Sequence, residues 1–373
     1  MTTRLAELTT MRVGGPAERV LTAHTKDELV QHALELWGSA DPWLLLGGGS
    51  NTVVCDEGYP GTVLLVRNAG VDRVVEGDAD GHVRLRVQAG QDWDALVAFC
   101  VEQGWSGIEA LSGIPGLAGA APIQNIGAYG AELGDVLHSI EFLDAESGEV
   151  VRLAAAELEL GYRDSAIKRG REGVVLSIDL VLQTSDSGLS APIAYAQLAN
   201  ALGVELGERV PLRSLREAVL ALRASKGMVL DPEDHDTWSA GSFFTNPIVS
   251  EQFARTMPDD APRFLMEDEE PEDVAISFED LERGVEPPVQ AEEAPRQVKL
   301  SAAWLIEHSG VRKGFRIPGS GASISSKHTL AITNRGSASA DDVAQLGRFV
   351  VQRVQQEFGV LLHPEPNLYG LEL

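Results

Sequence analysis

The chain has only two cysteines among its 373 residues, and neither belongs to a CxxC pair. A disulfide framework and a zinc site built on paired cysteines are therefore excluded. Cys55 and Cys100 each lie in an apolar stretch, which is typical of buried thiols in a reducing compartment. We predict a cytoplasmic protein that keeps both side chains in its interior.

Long apolar runs and positive charge are also scarce. No stretch approaches the ~18 apolar residues of a membrane span, and residues 1–12 lack an apolar signal-peptide core. Lys and Arg number 30 against 56 Asp and Glu, which leaves a net charge of −26. This charge repels phosphate-rich surfaces, so we expect no nucleic-acid partner and no membrane insertion. The net charge does not exclude a nucleotide ligand, because such a ligand needs only a local cluster of hydrogen-bond donors. A monomer is expected.

The common signatures of nucleotide and metal enzymes are missing. The chain has no GxGxxG fingerprint, no Walker A loop, no HExxH pair and no Cys/His cluster. A standard Rossmann dinucleotide site, a P-loop and a zinc-peptidase site are therefore excluded.

Glycine, by contrast, is concentrated in two places. The stretch Gly47 to Asn51 (GGGSN) follows the apolar run Trp43 to Leu46, as a glycine turn follows a buried strand. Its backbone N–H groups can approach a pyrophosphate without side-chain obstruction. By itself, the stretch is equally well explained as a structural turn.

The second glycine-rich stretch is more specific. Residues 113–134 contain six glycines and two prolines, so they cannot form a regular helix or strand. Folding alone seldom requires a segment with such small side chains and so few charges. A chain that wraps closely around a flat ligand and its phosphates does require them, so we predict a ligand-binding role.

The length implies more than one hydrophobic core, and the patterns divide the chain into three units. Residues 1–69 are predicted to form a small α/β unit, and residues 70–214 a unit in which strands outnumber helices. Residues 215–373 are predicted to form a third unit, whose clearest helix runs from Ala340 to Phe358.

An acidic segment interrupts the third unit. Residues 258–296 carry 14 Asp or Glu, three Arg and six Pro. Such a composition favours an exposed, largely disordered insertion.

Six motifs then occur in a fixed order. They are GGGSN at 47–51, IPG at 114–116, PIQNIGAYG at 122–130, GYRDS at 161–165, GSFFTNP at 241–247 and PE at 364–365. Each is modest alone. Together, with compatible spacing, they resemble the UDP-N-acetylenolpyruvoylglucosamine reductase (MurB) family over nearly the whole chain outside the acidic segment.

The resemblance implies an α+β fold of the PCMH or vanillyl-alcohol-oxidase type, in which two subdomains hold FAD and a third, α/β domain covers the substrate. It implies that NADPH reduces FAD, and that UDP-N-acetylglucosamine enolpyruvate is then reduced to UDP-N-acetylmuramate for peptidoglycan synthesis. None of the eight scattered histidines is flanked as a covalent flavin anchor would be, so FAD is expected to be non-covalent. A flavoprotein oxidase and a flavin-binding protein without catalysis are the alternatives.

The resemblance also assigns roles to residues. The catalytic set is Arg163, Ser242 and Glu365, with Ser242 as the proton donor. The substrate-binding positions are Tyr162, Tyr195, Arg223, Lys226 and Asn246. The cofactor-binding positions are Gly47, Gly48, Gly49, Ser50, Asn51, Gly113, Ile114, Pro115, Gly116, Ile123, Gln124, Asn125, Gly127, Ala128, Tyr129 and Gly130.

The three catalytic residue types suit the reaction. Hydride addition to an enolpyruvyl group leaves negative charge in its carboxylate, and Arg163 supplies a permanent fork of donors for it. Glu365 can supply a neutral carboxyl if burial raises its pKa, and Ser242 can protonate only a developing carbanion. Taken singly, each of these residues could instead have a surface, capping or packing role. The intact set of three argues against an oxidase and against a flavin-binding protein without catalysis.

Overall fold

The computed structural model describes residues 3–75, 81–184, 187–266 and 296–373. The strands are β1 (Ala17–Ala23), β2 (Trp43–Leu46), β3 (Thr52–Val54), β4 (Tyr59–Val66), β5 (Val71–Arg73), β6 (His82–Gln88), β7 (Trp105–Ser106), β8 (Gly127–Ala128), β9 (Ala131–Glu132), β10 (Leu137–Asp144), β11 (Val150–Ala154), β12 (Gly173–Thr184), β13 (Ile248–Ser250), β14 (Arg263–Leu265), β15 (Gln297–Leu300), β16 (Ala322–Ile324), β17 (Ile332–Asn334) and β18 (Asn367–Tyr369). The α-helices are α1 (Lys26–Trp37), α2 (Trp93–Glu102), α3 (Ala196–Leu202), α4 (Leu212–Ser225), α5 (Glu251–Ala254), α6 (Ala302–His308) and α7 (Ala340–Phe358). Short 3-10 turns occupy Leu5–Glu7, Glu109–Leu111, Ala118–Ala120, Leu133–Asp135, Ala155–Leu158 and His235–Thr237.

The first unit is a parallel three-stranded sheet in the order β1-β4-β2, with α1 packed against it. The helix begins at a capping box, in which the Thr25 hydroxyl accepts from the Glu28 N–H and the Glu28 carboxylate accepts from the Thr25 N–H. The sheet matters for the site because β2 leads directly into the GGGSN turn.

The second unit is built on an antiparallel sheet in the order β11-β10-β12-β6-β5, with β7 paired to the end of β12. The apolar side of α2 covers one face, and the Asp92 side chain caps this helix by accepting from the Ala95 N–H. Residues 113–134 form only short 3-10 turns and two-residue strands, which confirms the prediction of irregular backbone.

The third unit is organised by α7. The structure gives this helix the predicted bounds, with the Ser339 hydroxyl accepting from the Asp342 N–H and Gly359 in the left-handed region at φ 69°. The helix buries Val343, Leu346 and Val350 against α6 and the β16-β17 hairpin. This packing supports the loops that carry the C-terminal part of the site.

One predicted unit boundary differs from the structure. The boundary at 214/215 falls inside α4, which packs on α3 and on the turn Glu109–Leu111 of the second unit. An Arg216 Nη1 to Asp94 Oδ1 contact of 2.6 Å fastens α4 there. In addition, β18 returns to the first unit and pairs in parallel with β3. The units therefore meet around β3, β18 and α4, where the predicted site lies.

The first residues of the predicted acidic insertion belong to the fold. Residues 258–266 are folded, because β14 pairs with β15 and Ala261 is buried at 4% exposure. The rest of the predicted insertion, residues 267–295, lies outside the described residues. The predicted disorder of 258–296 is therefore wrong for its first nine residues.

This difference predicts contrasting deletions. The Met266 N–H donates to the Gln297 carbonyl at 3.0 Å, so a short Asn-Gly turn can replace residues 267–295 and close β14 and β15 as a hairpin. We expect that variant to keep its flavin and its thermal unfolding midpoint. Deleting 258–296 removes β14 and the buried Ala261, and we expect it to lose both. Flavin absorbance after gel filtration and a thermal melt distinguish them; equal loss in the two variants would contradict the revised boundary.

The predicted burial of both cysteine side chains is confirmed. Cys55 is 7% exposed, Cys100 is fully buried, and neither forms a disulfide. Burial, with a smaller contribution from Glu109, raises the pKa of the Cys100 thiol to about 12, so this thiol is unreactive. Of the helices that the structure describes, none has the length and apolarity needed to cross a bilayer.

Candidate active site

The two glycine-rich loops lie against each other. A Cβ on Gly48 would stand 2.9 Å from the Gly116 Cα, and a Cβ on Gly116 would stand 2.9 Å from the Ser50 Oγ. The Ser50 hydroxyl donates to the Pro115 carbonyl at 3.0 Å. Only glycine permits this approach, and it produces a continuous backbone surface without side chains. Such a surface suits a pyrophosphate, as the sequence predicted.

The segment 122–130 continues from this surface towards the centre of the molecule. Asn125 and Tyr129 adopt the left-handed region at φ 43° and 53°, which is strained for residues other than glycine. The Asn125 amide is 3% exposed; it donates to Glu132 Oε2 at 2.8 Å and accepts from the Gly134 N–H at 2.9 Å. Because the Asn125 side chain holds the loop together, any contact of Asn125 with a cofactor must use its backbone, and its role stays a prediction.

Arg163 and Glu365 meet at the end of this segment. The Arg163 Nε lies 3.6 Å from Glu365 Oε1, and Arg163 Nη2 donates to the Gly127 carbonyl at 2.9 Å. Gln124 Nε2 approaches the same Glu365 oxygen at 3.4 Å. Burial raises the pKa of the Glu365 carboxyl, although the charges of Arg163 and Lys168 oppose this. A raised pKa keeps a buried carboxyl protonated to higher pH, and the protonated carboxyl can donate a proton or a hydrogen bond.

Main-chain contacts bring Ser242 into the same region. The Glu365 N–H donates to the Phe243 carbonyl at 3.0 Å, so Glu365 runs beside the residue that follows Ser242. Asn51 Nδ2 donates to the Glu365 carbonyl at 3.3 Å, which ties this strand to the GGGSN turn. The structure thus brings together Arg163, Glu365 and the segment that carries Ser242, although more than 200 residues separate Arg163 from Glu365.

The Ser242 hydroxyl has one side-chain partner among the described residues. Its Oγ lies 3.4 Å from the Nε2 of His328. Burial and the charges of Lys226, Lys313 and Arg223 lower the pKa of His328 to about 4, against a smaller opposing effect of Glu307. The imidazole beside Ser242 is therefore neutral at pH 7.

A group of partly buried cations contains two of the predicted substrate-binding residues, Arg223 and Lys226. Arg223 Nη2 donates to the Met228 carbonyl at 3.1 Å, while its Nε is buried and has no partner within the described part of the chain. Lys226 Nζ donates to Gln197 Oε1 at 3.0 Å. Burial lowers the pKa of both side chains, and Arg223 and Lys313 lower that of Lys226 further. Clustered positive charge in so acidic a chain suits an anionic ligand such as a diphosphate.

Aromatic side chains connect the cofactor segment to this cation group. Tyr195 is 43% exposed, and its ring makes an edge contact with that of Tyr129, with centroids 5.7 Å apart. Lys226 Nζ lies 5.7 Å from the Tyr129 centroid. Tyr129, predicted to bind the cofactor, therefore also contacts the predicted substrate residues Tyr195 and Lys226.

The remaining predicted substrate residues form a second pair. Asn246 Nδ2 donates to the Tyr162 hydroxyl at 3.3 Å, and Asn246 Oδ1 accepts from the Ala302 N–H at 2.9 Å. Lys299 Nζ lies over the Tyr162 ring, 4.1 Å from its centroid. Tyr162 is thus held between an amide and a cation.

The six motifs do not include three residues of the site: Lys299, Lys313 and His328. Each of them reaches the site only through tertiary contact. The one sequence signal is that basic residues are rare in so acidic a chain, which favours Lys299 and Lys313 as contacts for an anionic ligand.

Two models of known protein families match this chain. Residues 17–154 match the family model described as an FAD binding domain. Residues 231–369 match the model described as the C-terminal domain of UDP-N-acetylenolpyruvoylglucosamine reductase. The fold and the side-chain-free cradle of the glycine loops therefore define a flavoprotein with FAD-binding and C-terminal domains.

Individual relatives identify the family. A UDP-N-acetylenolpyruvoylglucosamine reductase from Leifsonia xyli subsp. xyli is 60% identical over 99% of this chain and 98% of its own length. One from Streptomyces coelicolor is 48% identical over 99% of this chain and 90% of its own. The crystal structure of the MurB reductase from Thermus caldophilus superposes with a TM-score of 0.59 at 28% identity, over 99% of this chain and 98% of that one. This chain belongs to the UDP-N-acetylenolpyruvoylglucosamine reductase family, which confirms the predicted family and flavoprotein fold.

The packing of the glycine loops predicts the effect of one added methyl group. In Gly48→Ala, the new Cβ must move the Gly116 backbone, so the Kd for FAD is expected to rise about tenfold or more. Gly38→Ala is the matched control, because its Cβ would have no neighbour closer than 3.5 Å and φ is −74°. Titrating the apoprotein with FAD and following flavin fluorescence checks this prediction. Equal affinity in both variants would contradict the claim that the two glycine loops bind the cofactor.

Proposed function

We propose that this chain uses NADPH and non-covalently bound FAD to reduce UDP-N-acetylglucosamine enolpyruvate to UDP-N-acetylmuramate. One observation carries the proposal: the Arg163 guanidinium, the buried carboxyl of Glu365 and the segment bearing Ser242 meet between the glycine cradle and the cation group. Hydride addition to an enolpyruvyl double bond requires stabilisation of negative charge and delivery of a proton, and these are the groups that can provide both.

The cofactor would be held mainly by backbone. The turn Gly47 to Asn51 and the loop Gly113 to Gly116 would face its pyrophosphate, and the segment Ile123 to Gly130 would run along it. Bound FAD supplies hydride transfer between NADPH and the enolpyruvyl double bond. The protein's part is to hold the substrate against that cofactor and to manage charge and protons.

Arg163 would stabilise the charge that develops on the substrate carboxylate. Its guanidinium is permanently charged, and its position is fixed by the Gly127 carbonyl and by Glu365. Glu365, which burial favours in its neutral form, would donate a hydrogen bond to the same carboxylate. Two donors directed at developing charge in a closed site lower the barrier more than they would in water.

Ser242 would deliver the proton that completes the reduction. A hydroxyl is a weak acid, so it transfers its proton only to a strongly basic carbon, which the charge-stabilised intermediate of this addition provides. The proton leaves Ser242 Oγ for carbon 2 of the enolpyruvyl group, and the electron pair of the O–H bond stays on the oxygen.

The cation group would bind the diphosphate of the UDP-sugar. Arg223 and Lys226 are both partly stripped of water, and Arg223 keeps an unpaired buried Nε within the described part of the chain. An anion bound there would balance the positive charges of these two side chains. Tyr195 would close over the sugar from its exposed loop, with Asn246 and Tyr162 on the other side.

We further propose that the protein works in the cytoplasm as a monomer with NADPH as its reductant. Two unpaired, buried thiols support a reducing compartment. Gel filtration with light scattering at two protein concentrations tests the monomer; a concentration-dependent mass would reject it. Comparing flavin reduction by NADPH and by NADH tests the reductant.

Anaerobic stopped-flow absorbance tests the function itself. NADPH is added first, then the enolpyruvyl UDP-sugar, while the flavin band is followed. Bleaching by NADPH and rapid recovery on adding the sugar is the expected sequence. Recovery only when oxygen is admitted would instead identify an oxidase.

A further inference from the structure

We propose that His328 is a positioning residue for Ser242: its Nε2–H donates to the Ser242 Oγ, directs the hydroxyl proton towards the substrate and stabilises the oxygen after that proton has left. The inference rests on the proposed proton donation by Ser242. It concerns a residue outside all six motifs.

The geometry of the backbone sets this pair. The Phe243 N–H donates to the Leu330 carbonyl at 2.7 Å, which ties the Ser242 segment to the turn that carries His328. The His328 N–H in turn donates to the Ser325 Oγ at 3.2 Å. Main-chain hydrogen bonds therefore fix the backbone on both sides of the pair, and the His328 imidazole lies 3.4 Å from the Ser242 hydroxyl.

Chemistry then decides which group donates. A hydroxyl that protonates a carbon must direct its hydrogen at that carbon, so the bond to His328 has to use a lone pair of Ser242 Oγ. The imidazole must therefore present an N–H, which is the Nε2-protonated tautomer. When the proton moves to the substrate carbon, the negative charge left on Oγ is met by that N–H, and a proton from solvent restores the hydroxyl after product release.

The surroundings of His328 keep it in the neutral form that this role needs. The charged groups facing it are Lys226, Lys313 and Arg223 on the positive side and Glu307 on the negative side. This cationic excess and burial oppose an imidazolium at neutral pH. A neutral imidazole holds its N–H firmly, so it cannot replace Ser242 as the proton source.

A pair of variants separates donation from mere packing. His328→Gln keeps an amide N–H at a similar reach, and His328→Leu fills the space without a donor. Single-turnover flavin recovery at saturating enolpyruvyl sugar is expected to slow about 10- to 100-fold in His328→Leu, since one donor to developing charge is lost. In His328→Gln it is expected to stay within about threefold of wild type, and flavin reduction by NADPH within about twofold in both. Equal rates in His328→Leu and wild type would overturn the proposal.

A double variant tests whether His328 acts through Ser242. If it does, Ser242→Ala/His328→Leu is no slower than Ser242→Ala alone, because the hydroxyl on which His328 acts is already gone. Multiplicative losses would show an independent role and overturn the proposal. So would a His328→Leu variant that binds the product UDP-N-acetylmuramate more weakly while its rate at saturation is unchanged, since that would make His328 a ligand contact.

A spectroscopic readout is independent of turnover. In protein labelled with nitrogen-15 histidine, the His328 signals, assigned by their loss in His328→Leu, are expected to show a protonated Nε2 and an unprotonated Nδ1 at pH 7. A protonated Nδ1 with a bare Nε2 would overturn the proposal. If wild-type flavin fails to recover with the enolpyruvyl sugar at all, the proposed function fails, whereas the tautomer measurement still reports on the His328–Ser242 contact.

Discussion

Ser242→Ala is expected to slow recovery of the flavin band by the enolpyruvyl UDP-sugar by about 10³-fold or more, while flavin reduction by NADPH stays within about twofold of wild type. The reason is that removing the hydroxyl takes away the proton that completes the second half-reaction and nothing that the first one uses. Anaerobic stopped-flow absorbance measures the two halves separately.

The neighbouring Ser239 offers a matched control. It is 6% exposed, and its hydroxyl accepts from the Gly241 N–H at 3.3 Å, so Ser239→Ala perturbs the same loop without touching the proposed donor. We expect it to change flavin recovery by less than about tenfold. If Ser242→Ala slowed both half-reactions equally, the defect would lie in cofactor binding or folding, and Ser242 would lose its role as proton donor.

Glu365→Gln is expected to produce the second large effect, a loss of about 10²-fold or more in flavin recovery with the first half-reaction again preserved. The glutamine keeps the size of the side chain and an oxygen for Arg163 and Gln124, but its amide N–H is a much weaker hydrogen-bond donor to developing negative charge than the O–H of a protonated carboxyl. Because the active form proposed for Glu365 is protonated, wild-type recovery should fall as pH rises through the raised pKa of this carboxyl. The variant should show no such fall.

The pH profile is the decisive part of this experiment. Glu357→Gln, on the exposed side of α7, is the control and should keep the wild-type rate and profile. A Glu365→Gln profile that still falls over the same range would assign the titration to another group. A wild-type rate that rises with pH would mean that Glu365 works as a carboxylate, and the proposed hydrogen-bond donor would then be wrong.

Local signals predicted those elements whose determinants lie within a few residues. The bounds of α7 are such a case, because a helix end is decided by its own first and last turns, here the Ser339 cap and Gly359. The irregular course of residues 113–134 was predictable for the same reason, since glycine and proline act on the backbone where they stand.

Elements that depend on distant partners were missed. β14 forms only because residues 263–265 pair with β15, which lies more than 30 positions later in the chain, and no local pattern predicts that pairing. The predicted unit boundary at 214/215 likewise falls inside α4, because this helix is fixed by packing on the turn Glu109–Leu111. The contacts that position both elements are made with residues far away in the sequence.

The family, the cofactor class and a list of candidate residues could all be predicted from the sequence, because the six motifs carry their chemistry in short stretches. How those residues meet depends on folding: Arg163 comes to lie 3.6 Å from Glu365, and Lys299 and His328 join the site. Folding also decides that burial raises the pKa of Glu365 and lowers that of His328. Distances and desolvation are properties of atoms brought together by folding, and a linear pattern does not contain them.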